Sequence, residues 1–127
     1  MSYSYVIDSS AWVEYLDGTP RGTRVQRLIE EEAIATSIIG IAEIAYKYER
    51  ENQRTDAWLK FIESRSSILP VTVPIAREAA ALKKKIRVRK QKFSLADGIH
   101  LATARLEGAT LVTADTDFSE EQNVKLV

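Results

Sequence analysis

Apolar positions along this chain follow two alternating patterns: short dense runs, and longer stretches in which an apolar residue returns every three or four places. The dense runs at 5–7, 33–36, 68–71, 110–113 and 124–127 predict strands. Helical spacing predicts helices over 11–16, about 21–31, 38–50, 55–65, 75 to about 87 with Pro74 opening it, and 94–106. Gly18 with Pro20, and later Gly108, punctuate the helix ends. Pro70 inside the third run argues for a sheet edge, because proline cannot donate to a ladder. Trp58 and Phe61 make the fourth helix more apolar than an exposed helix needs, so they are expected in the core or at a dimer contact. Strands alternating with helices imply an α/β fold with a parallel sheet and right-handed crossovers. No repeat or linker interrupts the pattern, and residues 1–127 are expected to form one domain.

Composition narrows the picture by exclusion. The chain contains no cysteine, which removes thiol nucleophiles, cysteine-ligated zinc and disulfides. No run approaches the roughly 18 apolar residues of a membrane span. Nor does the N-terminus pair a basic region with an apolar one. A cytoplasmic location without membrane association is the expectation. Eighteen basic residues balance eighteen acidic ones, so charge matters here through its distribution. Lys83, Lys84, Lys85, Arg87, Arg89, Lys90 and Lys92 crowd the stretch 83–92. Such a stretch either holds phosphates or is the solvated C-terminal end of a helix, where cations are favoured, and the two roles are compatible.

The acids carry the chemistry. Asp8 stands where the first strand stops, Glu43 in the second turn of the third helix and Asp97 in the first turn of the sixth. Asp115 and Asp117 follow the fourth strand. In a parallel sheet the C-terminal ends of these strands open on one edge, where ligands bind in such folds, so the carboxylates can converge. Carboxylates within a few ångström of one another need positive charge among them. Hard divalent cations with oxygen ligands supply it, and such a site suits phosphodiester hydrolysis. Simpler roles exist for several of these residues. Asp8 or Ser9 is also a good helix cap, Ser94 and Asp97 form an S-x-x-D capping pattern, and Asp117 fits a turn. His100, the only histidine, follows Asp97 on the same helical face; packing near the site is the preferred reading and proton transfer the alternative. An acidic pocket holds a phosphodiester only if cations flank it. The stretch 83–92 directly precedes the helix bearing Asp97, and Arg21, Arg24, Lys47 and Arg50 are further candidates.

Val6-Ile7-Asp8-Ser9-Ser10, Glu43, Ser94-Leu95-Ala96-Asp97-Gly98-Ile99-His100-Leu101-Ala102 and Leu111-Val112-Thr113-Ala114-Asp115-Thr116-Asp117-Phe118 occur in an order and at separations that resemble the PIN-domain nucleases. Within them the chain is most similar to VapC-type toxins of bacterial and archaeal toxin–antitoxin pairs. The resemblance covers the whole chain. It implies a Rossmann-like three-layer α/β/α sandwich with a mostly parallel sheet, and endonucleolytic cleavage of RNA dependent on Mg²⁺ or Mn²⁺. It also implies a homodimer inhibited by a small antitoxin. Residue by residue, Asp8, Glu43, Asp97 and Asp115 look like the family's catalytic, metal-holding quartet and Asp117 like an auxiliary metal acid. Ser9 and Thr113 resemble hydroxyls that orient the acids, with ordinary strand-end hydrogen bonding as the alternative. Lys84, Lys85, Arg87, Arg89, Lys90 and Lys92 are the RNA-binding candidates that charge alone suggests.

Other acid-lined α/β domains fit less well. A phosphoacceptor signalling domain needs an acid after the third strand, where Leu69-Pro70-Val71-Thr72 has none. An aspartate-nucleophile phosphatase needs an acid two residues after Asp8, where Ser10 stands. A PIN-type RNA-processing nuclease outside a toxin pair, and a non-catalytic RNA- or protein-binding domain, remain as alternatives.

Overall fold

A computed structural model of the chain describes residues 2–127. Five strands form one parallel sheet in the order β3-β2-β1-β4-β5. The strands are β1 (Tyr5–Ile7), β2 (Ile34–Ser37), β3 (Ser67–Leu69), β4 (Thr110–Thr113) and β5 (Val124–Leu126). Between them lie α1 (Ser9–Leu16), α2 (Pro20–Glu31), α3 (Ile38–Arg50), α4 (Thr55–Arg65), α5 (Val73–Ile86) and α6 (Leu95–Leu106), with a short 3-10 turn at Thr116–Phe118.

Every strand is too short to bury a face alone, and each central one sends alternate residues to opposite sides. Val6, Ala35 and Leu111 join Ile75, Ala79, Leu82, Ile86, Leu101 and Phe118 on the face covered by α5 and α6. Ile7, Ile34 and Val112 join Trp12, Val25, Ile29, Ile44, Tyr48 and Ile62 on the face covered by α1 to α4. Crossovers of one hand explain the division. Connections stepping from β1 out to β3 put their helices on one face, and the return step to β4 puts its helices on the other. Trp58 and Phe61 are half-buried and pack on the second core, so the core reading of these two holds.

Several boundaries shift by a residue or two from the sequence reading, and three of the shifts have a clear local reason. β3 ends at Leu69, before Pro70, which has no N–H to continue the ladder, and β3 is an edge strand as expected. Helix α1 starts at Ser9 rather than Ala11, with Asp8 as its N-cap residue. Helix α5 starts at Val73 because Thr72 caps it, accepting from the Ile75 N–H, with Pro74 in the first turn.

Gly98 fixes how closely α5 and α6 approach. A Cβ at this position would stand 2.7 Å from the Ala79 carbonyl oxygen, a backbone atom with no rotamer to escape into. Gly98→Ala is therefore expected to destabilise the domain by about 1–3 kcal/mol, the usual cost of overpacking, read from urea melts. An unchanged midpoint would show that the helices separate freely.

Candidate functional site

The strand order reverses at β1: the chain moves away through β2 to β3 and returns to β4 on the other side. Crevices at such reversal points, beyond the C-terminal strand ends, are where open α/β sheets hold ligands. Asp8 ends β1 at that point and is almost fully buried. Its side chain makes no capping bond to α1. Instead Thr113 Oγ1, at the end of β4, donates to Asp8 Oδ2 at 2.6 Å, and Ser10 Oγ lies 2.9 Å from the same oxygen. Both hydroxyls are in turn anchored by backbone: the Ala114 N–H donates to Ser10 Oγ and the Asp115 N–H to Thr113 Oγ1. The capping reading of Asp8 is thus replaced by a carboxylate locked across the reversal point.

Glu43 reaches the same place from α3. Ser9 Oγ lies 3.0 Å from Glu43 Oε1 and 3.3 Å from Asp8 Oδ1, linking the two acids. His100 does the same from α6: its Nε2 is 2.7 Å from Glu43 Oε1 and 3.3 Å from Asp8 Oδ1, with the ring fully buried. One ligand-type atom from each of Asp8, Glu43 and His100 lies within 4.8 Å of the others. The reading of His100 as a packing residue captured its burial and missed its bond to Glu43. Its spacing from Asp97 already placed it on the right face.

Asp97 and Asp115 stand outside this tight group but within its field. Asp97 closes a capping box: its Oδ2 accepts the Ser94 N–H at 2.8 Å and its own N–H donates to Ser94 Oγ at 3.0 Å. Burial raises its pKa, the Ser94 hydrogen bonds oppose that, and the charges of Asp8 and Asp115 push it further up. Burial also raises the pKa of Asp115, against the Asp117 N–H that bonds Asp115 Oδ1 at 2.8 Å, with Asp117 and Asp8 adding to the rise. Asp117 thus lies beside Asp115 in the turn that follows β4, a turn it helps to close. For His100, burial disfavours the charged ring, but the combined pull of Asp8, Glu43 and Asp97 outweighs it and the pKa rises overall.

Among the described residues no lysine or arginine forms an ion pair with Asp8, Glu43, Asp97 or Asp115; His100 pairs with the first two. Carboxylates gathered at one edge with no basic side chain of lysine or arginine paired to them repel one another, and their hard oxygen donors suit a divalent cation. The donor set fits such a cation.

The basic stretch is only partly placed to serve this edge. Glu121 contacts both Arg89, at 2.8 Å, and Arg105, at 3.5 Å. Arg105 lies in the last turn of α6, about 12 Å along the helix axis from Asp97. Lys85 and Arg89 line a hollow with Glu120, Glu121 and Gln122. Lys85 and Arg89 therefore flank the far end of α6. Arg89 and Lys90 are already ion-paired, to Glu121 and Glu120, whereas Lys84, Lys85, Arg87 and Lys92 have no ion pair among the described residues. At the acidic edge itself stands Arg21, whose guanidinium donates to the Ala114 carbonyl at 3.4 Å, one residue before Asp115. Charge density along the sequence pointed first to the stretch 83–92; Arg21, one of three arginines spread along α2, stood only among the further candidates. Ser10 was missed, its hydroxyl having counted only as an acid that was not there.

A sequence model of the PIN domain matches residues 5–122. No curated protein matches the chain at the sequence level. Among solved structures, the chain is similar to a toxin–antitoxin complex from Klebsiella pneumoniae, at 24% identity and TM-score 0.78 over 96% of both chains. It is also similar to VapBC2 from Rickettsia felis bound to a promoter DNA fragment, at 22% identity and TM-score 0.74 over 97% of this chain and 96% of that one. VapC20 of Mycobacterium tuberculosis, described as a sarcin–ricin loop cleaving toxin, aligns at 20% identity and TM-score 0.72 over 94% and 95%. At these identities the likeness establishes the shared fold.

Proposed function

The chain belongs to the PIN domain family, and from that premise we propose that it is a metal-dependent endoribonuclease, the toxin of a VapBC-type pair. One observation carries the reading: Asp8, locked at the sheet's reversal point, is bridged through Ser9 to Glu43, and its charge is felt by two further acids, Asp97 and Asp115. Asp8, Glu43, Asp97 and Asp115 would hold the cation, with Asp117 as the auxiliary acid. When bound, Mg²⁺ or Mn²⁺ supplies Lewis acidity and counter-charge for phosphodiester hydrolysis. The chain's own contribution is preorganisation. Thr113 and Ser10 fix one oxygen of Asp8, Ser9 sits between its other oxygen and Glu43, and the Ser94 N–H fixes one oxygen of Asp97. Arg21 is the cation best placed to hold a phosphate next to the acids.

Cleavage of a circular RNA tests the reading, since opening a circle requires an endonuclease. Linearisation with Mg²⁺ or Mn²⁺, abolished by excess chelator, is the expected result. Undiminished cleavage in chelator would overturn the metal assignment, and no cleavage with either ion would overturn the nuclease.

The same reading places the protein in the cytoplasm; among the described residues no helix is long and apolar enough to cross a membrane. It also includes a homodimer and a small inhibitory antitoxin, for which exposed Ile38, Tyr46, Val73 and Val88 offer apolar surface. RNA longer than the cleaved step would continue towards the cations at the end of α5. Replacing Lys84, Lys85 and Lys92 by alanine is expected to reduce the logarithmic salt slope of RNA binding by about 2, at roughly 0.7 per lost phosphate contact. Lys90→Ala should change it little, because Glu120 already holds that ammonium. An unchanged slope in the triple variant would show a solvated helix end.

A further inference from the structure

His100 is the chain's only histidine, and its ring is fully buried. Nδ1 has no hydrogen-bond partner among the described residues, so the ring is oriented through Nε2 alone. Both polar neighbours of Nε2 are carboxylate oxygens, Glu43 Oε1 at 2.7 Å and Asp8 Oδ1 at 3.3 Å. Acids there offer only lone pairs, so Nε2 has to carry the hydrogen; a bare nitrogen would add a third lone pair to two that already repel. The backbone makes room for this aim. Gly40 on α3 faces the ring edge, and a Cβ there would lie 3.0 Å from Cε1.

Glu43 needs such a partner. Its side chain is 37% exposed at the open edge of the site, where a long flexible carboxylate beside Asp8 would otherwise turn away. The Ser9 hydroxyl has one hydrogen to share between the two acids. We propose that His100 is a positioning residue whose Nε2–H holds the Glu43 carboxylate beside Asp8, so that α6 sets the geometry of an acid carried by α3. This rests on the reading of Glu43 as an acid of the cation site. It assigns the histidine to orientation and not to proton transfer.

With a single histidine, the imidazole ¹⁵N spectrum of the full chain reports this ring alone. A protonated Nε2 in metal-free protein, with a shift that changes in Glu43→Gln, is the expected result; a bare Nε2 with the hydrogen on Nδ1 overturns the proposal. Mn²⁺ titrations followed by electron spin resonance supply the second readout. His100→Leu keeps bulk and loses the donor, so affinity is expected to fall 10- to 100-fold, as for other partners that orient metal-holding groups. His100→Gln, which retains an N–H, should recover part of it. In a Glu43→Gln background, His100→Leu should cost no further affinity, since the group it acts through has already changed. Parent-like affinity in His100→Leu, or an undiminished loss in the Glu43→Gln background, overturns the proposal. Failure of the parent itself to bind Mn²⁺ overturns the cation reading instead, and the nitrogen spectrum then decides the role of His100.

Discussion

Asp8→Asn is expected to lower RNA cleavage by at least about 10²-fold, the upper range for losing a partner that merely orients a metal-holding group, while the domain stays folded. The structure explains why one oxygen-to-nitrogen change separates activity from stability. Asp8 Oδ2 is met by two hydroxyls, Thr113 Oγ1 at 2.6 Å and Ser10 Oγ at 2.9 Å, and each of these hydroxyls also accepts a backbone N–H. Hydroxyls both donate and accept, so they can turn to meet an amide NH₂. What the amide cannot replace is the negative charge at the reversal point of the sheet. Loss of charge-assisted hydrogen bonds costs roughly 1.5–3 kcal/mol, and relief of repulsion on Asp97 and Asp115 offsets part of that. Cleavage rates with Mn²⁺, set beside thermal melts in chelator, test the separation. Substantial residual cleavage would remove Asp8 from the centre of the site, and an unfolded variant would show that its role is to hold β1 to β4.

How much of this was legible depended on whether a residue acts through local or distant partners. Helices α3 and α4 and strand β4 follow the apolar spacing to the residue, and α3 begins on a local signal, the Ser37 cap. The acids Asp8, Glu43, Asp97 and Asp115 could be singled out because a parallel sheet collects strand ends on one edge, and the strand order β3-β2-β1-β4-β5 does so. The bond of His100 to Glu43 joins residues far apart in sequence through side-chain direction, which periodicity does not encode. The basic stretch is the opposite case. Its density was visible, but the loop acids Glu120 and Glu121 that neutralise Arg89 and Lys90 follow the distant strand β4. Nor could Arg21 be ranked above its neighbours, since its placement depends on how α2 packs against the end of β4.

Asp97 and Ser94 make the sharpest remaining contrast, because one capping box contains both a residue assigned to the cation and one that is not. Ser94→Ala removes the hydroxyl that accepts the Asp97 N–H, at a cost of about 1 kcal/mol. It leaves the Ser94 N–H in place to hold Asp97 Oδ2, so the carboxylate keeps its aim and cation affinity should not change. Asp97→Asn does the reverse. Its carbonyl oxygen still accepts the Ser94 N–H, so the cap survives, but a negative charge leaves the site, and both Mn²⁺ affinity and cleavage are expected to collapse. The pH dependence follows from the raised pKa of Asp97. A carboxyl whose folded pKa lies above its unfolded value binds its proton more tightly when folded, so its contribution to stability is present below the unfolded value of 3.8 and is lost as pH rises through the folded value. In chelator, Asp97→Asn should therefore melt progressively higher relative to the parent as pH climbs from about 4 towards neutrality. Saturating Mn²⁺ should reverse the order, because only the parent gains the full stabilisation of binding. Melts across this range with and without Mn²⁺ read both effects. A constant difference between Asp97→Asn and the parent at every pH, with equal Mn²⁺ affinity, would reduce Asp97 to a helix cap.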